Sequence, residues 1–395
     1  MSQLKVNTIR HTGASSDAVT LASDGTCTAK ITNNLSNRNL IINGACIVNQ
    51  YGTTSSTAGG VKVCDRWYSG FGVMGTTQSI HDLTSSDTGP WEKGFKKSFH
   101  IQNTTTGSSN ATDQANIRYN YVEAQDVVNS GWVHTSTSSY MTLSFWVKVS
   151  LAGTYYVQLR TKDGTNKVRA SAFTVSANTW KYVTITFPGA SNITLNNDNG
   201  QGLDITFVAY WGTDGTDAGF TLDSWDSFNS SSRMPNLAQN WNSTANATFE
   251  VTGVQLEVGD VATDFEHRSH GDELARCQRY FFAIPYGSSG DSSTMIQNLE
   301  SYAKSATEIQ SQATFPVPMR TNPSFTGSAT DCEFFAAANS ADFAVNGFAS
   351  YVAATGTNIT GMNLRKSSAS SMTAGQGGRI LFRENGGYMH FSAEL

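Results

Sequence analysis

The residues of this chain best placed to do chemistry with a ligand are Tyr210, Trp211, Trp225 and Trp241, together with Asp226, Asn240 and Asn242. They fall on or beside one long stretch, Gly212 to Asn246, crowded with Asn, Ser and Asp. Flat aromatic rings stack on C–H faces, and planar polar side chains bond hydroxyls; a sugar presents both. Long irregular stretches in compact domains are functional or tightly packed. The competing role for Trp211 and Trp225 is to fill a core or anchor that loop. Trp67, Trp146 and Trp180 sit on strands and read as core.

Other chemistries find little support. Asn197-Asp198-Asn199 and the pair Asp214 and Asp217 offer oxygen ligands for calcium, without the ordered spacing of an EF-hand. They read as turn residues. His267 and His270, beside Asp272 and Glu273, have the spacing of a zinc pair but lie in what reads as a linker. Glycoside hydrolysis needs two carboxylates facing each other across a sugar. Glu250, Glu257 and Glu266 are on or beside terminal strands, and the sequence does not show whether any two face each other. No nucleophile elbow or phosphate loop occurs. The expectation is a non-enzymatic chain with no catalytic residue, no metal site and no cofactor.

The elements that must position these residues are strands. Met141, Leu143, Phe145, Val147 and Val149 alternate with Thr142, Ser144, Trp146 and Lys148, which predicts a strand with one face in a core. Tyr155 to Arg160 follows after a short turn and predicts a hairpin partner. Further strands are predicted at Trp180 to Phe187 and Ile205 to Trp211. The parity of Phe249 and Val251 against Val254 and Leu256 slips at Thr252-Gly253, which predicts a bulge. Leu274, Cys277 and Phe281 recur at helical spacing, with acids before and arginines after, and predict a short hinge helix. Pro316 and Pro318 alternate within Phe315 to Arg320, so that run is an edge strand or an extended crossing. Ile380 to Phe382 and Tyr388 to Phe391 read as a terminal hairpin around Asn385-Gly386. Leu4 to Ile9 and Ala18 to Leu21 are short strands with too little apolar mass for a core of their own.

Composition narrows the classes. The chain has 395 residues, 14% of them charged, a formal net charge of −5 and 11% aromatics. There is no basic block for nucleic acid and no long apolar run for a membrane span. The aromatics argue against disorder. The five cysteines, Cys27, Cys46, Cys64, Cys277 and Cys332, are odd in number and scattered, and they read as free thiols. Met1-Ser2-Gln3-Leu4-Lys5 lacks the apolar run of a secretory leader. Folding in a reducing cytosol fits both.

A family resemblance enters on specific segments. Asn39 to Ala45, Asn49-Gln50 and Asp65-Arg66-Trp67 resemble the opening of the jelly-roll module of bacteriophage tail-fibre proteins. Val254 to Gly259 and Ala262 to Arg268 resemble its last strand and exit, with Asp264 where such exits often carry Pro. Gly271 to Phe281 is similar to the linker that follows. Phe315 to Arg320 with Asn322-Pro323 resembles a stretch of C-terminal fibre domains, and Leu4 to Ile9 the start of marine and cyanobacterial phage fibres. Between Trp67 and Val254 the likeness is in strand pattern alone.

The expected fold is all-β, with four parts. Residues 1–42 form an N-terminal β arm or stalk that attaches to the phage tail or other virion proteins. Residues 43–268 form a jelly-roll sandwich, 269–282 a linker helix and 283–395 a small C-terminal β-sandwich tip. The resemblance implies a homotrimeric tail fibre, folded in the host cytoplasm and carried on the virion. Its implied partner is host cell-surface polysaccharide, with no nucleic acid and no membrane insertion, and calcium is a passenger of some such jelly rolls. The rival readings are a capsid-attached fibre or decoration protein and a capsule depolymerase.

Overall fold

In the computed structural model, the described residues are 6–29 apart from 16 and 26, 37–284 apart from 73–74 and 106–109, then 295–327, 332–336, 341–351, 357–368, 372–382 and 387–395. The fold is nearly all β, as expected. No helix among the described residues is long and apolar enough to cross a membrane.

The central body is a jelly-roll sandwich of two six-stranded antiparallel sheets. The front sheet runs Lys181–Pro188, Tyr140–Val149, Thr248–Val258, Lys97–Asn103, Thr76–Asp82 and Ser55–Ser56. The back sheet runs Asp226–Ser227, Lys167–Val175, Gly153–Thr161, Gln201–Trp211, Gln114–Glu123 and Trp67–Phe71. The alternating set Met141, Leu143, Phe145, Val147 and Val149 is wholly buried between them. Each such side chain contributes roughly 1.5–3 kcal/mol by leaving water.

The strand positions hold, but one connection differs. Tyr140–Val149 and Gly153–Thr161 are not a hairpin, because they lie in opposite sheets. Both bury one face in the same core, so the short turn arches across it. Gly153–Thr161 instead pairs with Lys167–Val175 through the 162–166 turn. The bulge falls where parity slipped: the Thr248–Val258 ladder shifts between Thr252 and Gln255, and Gly253 takes φ +61°.

At the N-terminus, Thr8–Ile9, Val19–Leu21 and Cys27–Ala29 pair, among the described residues, only with one another. Residues 4 and 5 of the first expected strand lie outside the described residues. Ile9 is 55% exposed and Leu21 39%. Residues 37–42 already pack with the sandwich: Ile41 is fully buried, and Leu40 N donates to Leu256 O.

The C-terminal unit departs from a sandwich. Six strands, Met295–Ala303, Glu308–Thr321, Thr357–Ser368, Ala341–Tyr351, Cys332–Ala336 and Gly377–Phe382, close into a barrel. Closure removes both sheet edges. Ile309, Ala313, Phe334, Ile380 and Phe382 fall in its buried cluster. The terminal hairpin does not form. Gly377–Phe382 is paired on both sides, by Met295–Ala303 and Cys332–Ala336, so no edge is left for the last strand. That strand, Met389–Ser392, crosses to a small sheet between Phe281–Ile284 and Ser324–Gly327. The Asn385-Gly386 turn lies outside the described residues. Pro316 and Pro318 sit where the ladder to Thr357–Ser368 breaks, between Thr314 and Met319, so the run is an extended crossing.

Apart from Leu4 to Ile9, the segments that carried the family resemblance meet around the joint between sandwich and barrel. Arg66 is 1% exposed, in a left-handed conformation at φ +70° that is costly for a residue with a Cβ. Its guanidinium ion-pairs with Glu394 and lies 3.5 Å from the Tyr280 ring centroid. Lys62 and Asn120 also bond Glu394, at 2.5 and 2.6 Å. Gln50 Nε2 donates to Asp65 Oδ2 and to Phe281 O. Arg279 grips Glu123 with two bonds of 2.7 and 2.9 Å, and Tyr280 Oη donates to the same carboxylate. Arg320 donates to Asn199 O and Ala393 O. The predicted helix is His270–Gln278, capped by Ser269 Oγ, which accepts from Asp272 N. Expected as a hinge, it is wedged: Cys277 is fully buried and the Glu273 carboxylate accepts from Asn43 N. Cys46, Cys64 and Cys277 are buried free thiols. Burial holds Cys64 and Cys277 protonated by pushing their thiols up. The side chains of Cys27 and Cys332 lie outside the described residues.

Candidate functional site

The structure does not gather the seven sequence candidates into one site, and Asn242 is fully buried. Trp241 is fully buried and Trp225 is 7% exposed; both belong to the sandwich core. Trp225 Nε1 donates to Pro188 O at 2.7 Å, which pins the loop. These two are unavailable to a ligand. Asn240 and Asp226 are exposed, and Tyr210 packs partly buried on the core. A register break between Val208 and Tyr210 lets Trp211 leave the core. Trp211 lies on the outer side of the back sheet, clustered with Tyr156, Val208 and Met234.

The long 212–246 loop is therefore mostly a packed cover. Asp217 accepts from Gly219 N at 2.8 Å and from Ser232 Oγ at 3.0 Å, serving its own turn. Asp198 accepts from Gly200 N at 2.7 Å in the same way.

Two tryptophans expected in the core are on the outer face of the front sheet. Trp146 and Lys148 alternate with the buried set, so parity turns them outward. Trp146 is half-buried and faces Tyr182 on the neighbouring strand, with centroids 5.3 Å apart and planes tilted 46°. Tyr182 is 41% exposed. The two rings sit in a groove of about 620 Å³. Its floor is Ser144 and the Gly253 bulge, and its walls are Glu92, Lys93 and Phe95 on one side and Ala262 to Phe265 and His267 on the other. Gly89, at φ +97°, lets the 83–95 wall approach: a Cβ there would lie 2.6 Å from the Trp146 ring. His267 Nε2 meets Lys93 O at 2.9 Å and ties the walls together. Asp264, where the resembling exits carry Pro, stands at this rim. The parity of Trp146 was the sequence signal for the groove; nothing in the sequence joins its two walls.

Beside the groove runs a polar cluster. Trp180 Nε1 and Lys148 Nζ both bond Asp87 at 3.0 Å. Burial works against the Asp87 carboxylate, but these donors outweigh it and hold the group at about 2. Lys148 also pairs with Glu250 at 3.3 Å. His81, His100 and Glu250 are the only trio of metal-type donors among the described residues. The two imidazoles stack at 3.6 Å. Glu250 is already neutralised by Lys148 and bonded by Ser98 Oγ, and burial with nearby His81 and Lys148 pushes His100 down to about 3. His267 belongs to the groove. The three acids weighed for hydrolysis are engaged elsewhere: Glu250 as described, Glu257 with Thr263, and Glu266 with the backbone of Asn37 and Asn39.

The fold and groove define a jelly-roll sandwich with an aromatic, polar-walled cleft. No protein family and no curated protein matches the chain in sequence. Solved structures similar to it include the enzymatically active domain of tailspike protein 4 of bacteriophage CBA120, at 12% identity and TM-score 0.29, covering 56% of this chain and 21% of that one. A Bacteroides thetaiotaomicron protein is similar at 11% identity and TM-score 0.28, covering 56% and 99%. The family 11 carbohydrate-binding module of a Clostridium thermocellum cellulosomal cellulase is similar at 13% identity and TM-score 0.26, covering 54% and 98%. This chain thus spans about a fifth of the tailspike's length. Likeness this weak identifies no function.

Proposed function

We propose that this chain is a non-enzymatic virion fibre subunit that binds host-surface glycan through the groove around Trp146 and Tyr182. The observation that carries the glycan reading is that pair of accessible rings, set among Glu92, Lys93, Ser144, Asp264 and His267. Rings for C–H faces and polar groups for hydroxyls are what sugar binding needs. The fibre reading is supported by the resembling segments at both ends and at the joint. Residues 1–42 attach the chain to the tail or another virion protein, and their exposed Ile9 and Leu21 suit a homotrimer. Weak single-site affinity is multiplied by three chains.

The test is binding of purified protein to polysaccharide extracted from bacterial surfaces, with sedimentation to give its mass and antibody labelling of intact virions. A monomer that binds no extract and labels no virion overturns the reading. One observation favours the depolymerase alternative: Glu92 and Asp264 both line the groove. Release of reducing ends that stops in Glu92→Gln or Asp264→Asn would establish it in place of the binding role.

A further inference from the structure

The outer face of the back sheet concentrates positive charge in a chain whose net charge is −5. Arg118 stands opposite Tyr68 and Thr206, and Arg160 stands opposite Asp204. Lys162 follows on from the Gly153–Thr161 strand, its Nζ 3.3 Å from Tyr121 Oη. Arg233 comes from the covering loop, held there because its carbonyl accepts from Gln158 Nε2 at 2.6 Å. No carboxylate lies within ion-pair distance of any of these four cations among the described residues. The acids nearby are Asp204 and, at the rim, Asp214.

The cations are laid over rings. Arg233 is 4.4 Å from the Trp211 centroid, Arg160 is 3.3 Å from Phe228 and Lys162 is 5.2 Å from Tyr121. Arg118 is braced by Asn116 Oδ1 at 2.6 Å and Gln114 Oε1 at 3.0 Å. A groove of about 340 Å³ opens between Arg118, Arg233 and Trp211. Burial and crowding together act on these groups. Burial and the neighbouring Arg118 and Arg160 bring Arg233 down to about 10. Burial raises Asp204 to about 6 in spite of the cations around it.

We propose that this face is a second glycan subsite, on the opposite sheet from the Trp146 groove, selective for acidic sugar chains. Braced guanidinium forks pair bidentately with carboxylate or sulfate, and the Trp211 and Phe228 rings beneath them hold the cations in place. The assignment rests on the glycan-binding reading of the chain but uses different residues.

Calorimetric titration of the full chain with oligogalacturonate, a heparin-derived oligosaccharide, a neutral oligosaccharide of equal length and poly-glutamate tests it. One or both acidic sugars bind, more weakly as salt rises, and the better of the two names the acid group. Arg118→Gln/Arg233→Gln lowers that affinity at least tenfold, and Trp146→Ala leaves it unchanged. Asp204→Asn, which removes the opposing charge, raises affinity severalfold and guards against a folding artefact in the double variant. Failure of the front groove alone would show as lost neutral-sugar binding with acidic binding kept. The proposal is overturned if neither acidic sugar binds at low salt, if poly-glutamate binds as tightly, or if the arginine variants bind as the parent does.

Discussion

Trp146 and Tyr182 are direct cross-strand partners, and their rings meet 5.3 Å apart on the solvent side of the front sheet. Partners on one face of an antiparallel pair are held by the sheet itself. The two rings are therefore set by backbone pairing, before any ligand arrives.

Replacing either ring should weaken glycan binding without unfolding the chain. Trp146→Ala and Tyr182→Ala are each expected to lose roughly tenfold in affinity, about 1.4 kcal/mol, with an unchanged melting profile. Trp225→Ala and Trp241→Ala should do the reverse, costing about 3–5 kcal/mol of stability as core truncations. Affinity titration and urea unfolding on the four variants check this; lost binding in Trp241→Ala at full stability contradicts it.

Gly253 links the bulge to the groove. At φ +61° a side chain is strained, and its Cβ would lie 2.6 Å from the Phe95 ring. Gly253→Ala is expected to cost about 1–3 kcal/mol and to weaken glycan binding by moving Phe95, a wall of the groove. Urea midpoints and one titration suffice, and a neutral effect on both would show the wall to be pliant.

The buried imidazole of His100 sets a pH dependence. Its folded value is about 3 against 6.5 unperturbed. Between those values the unfolded chain takes a proton that the folded chain refuses. Its contribution is thus full above pH 6.5 and lost as pH falls, by about 1.4 kcal/mol per pH unit. His81, Ser79 and Lys148 face it. Asp65 acts in the opposite sense, since burial raises it to about 7 despite the bonds from Gln50, and favours folding as pH falls below 7. Comparing the parent with His100→Gln isolates the histidine. The difference in unfolding free energy should shrink steadily from pH 6.5 to 4, and parallel curves would refute the assignment.

At the joint, Glu394→Gln leaves Arg66 and Lys62 buried beside a neutral group. Breaking such a pair costs about 3–5 kcal/mol. We expect the barrel and the sandwich then to unfold in separate steps, read by urea unfolding with tryptophan fluorescence, which reports the sandwich, set against circular dichroism. A loss below about 1 kcal/mol, the worth of a surface pair, would mean that the joint is held by its rings and backbone bonds.

The strands were legible because burial imposes a period of two, and the slip at Thr252-Gly253 located a bulge to the residue. The helix was legible from its cap and spacing. Which sheet each strand joins was not. Tyr140–Val149 and Gly153–Thr161 both bury alternate residues, and that pattern is the same for a hairpin and for an arch. Barrel closure was hidden for a related reason, since edges are removed by long-range pairing that leaves no local mark. The loop tryptophans misled because a long loop must anchor itself, and Trp225 and Trp241 do that. Trp146 was readable in principle: its parity opposed Phe145 and Val147, and an outward Trp on a strand invites a ligand.

Arg66 and Glu394 are separated by 328 positions in the chain. At ribosomal speeds of about 5–20 residues per second, Arg66 waits on the order of tens of seconds for its partner to be made. During that interval the Tyr119 ring and the carbonyls of Asn120 and Tyr121 are what the sandwich itself can offer its guanidinium. A ribosome that stalls in the barrel leaves Arg66 and Lys62 without the Glu394 carboxylate that joins them in the full chain.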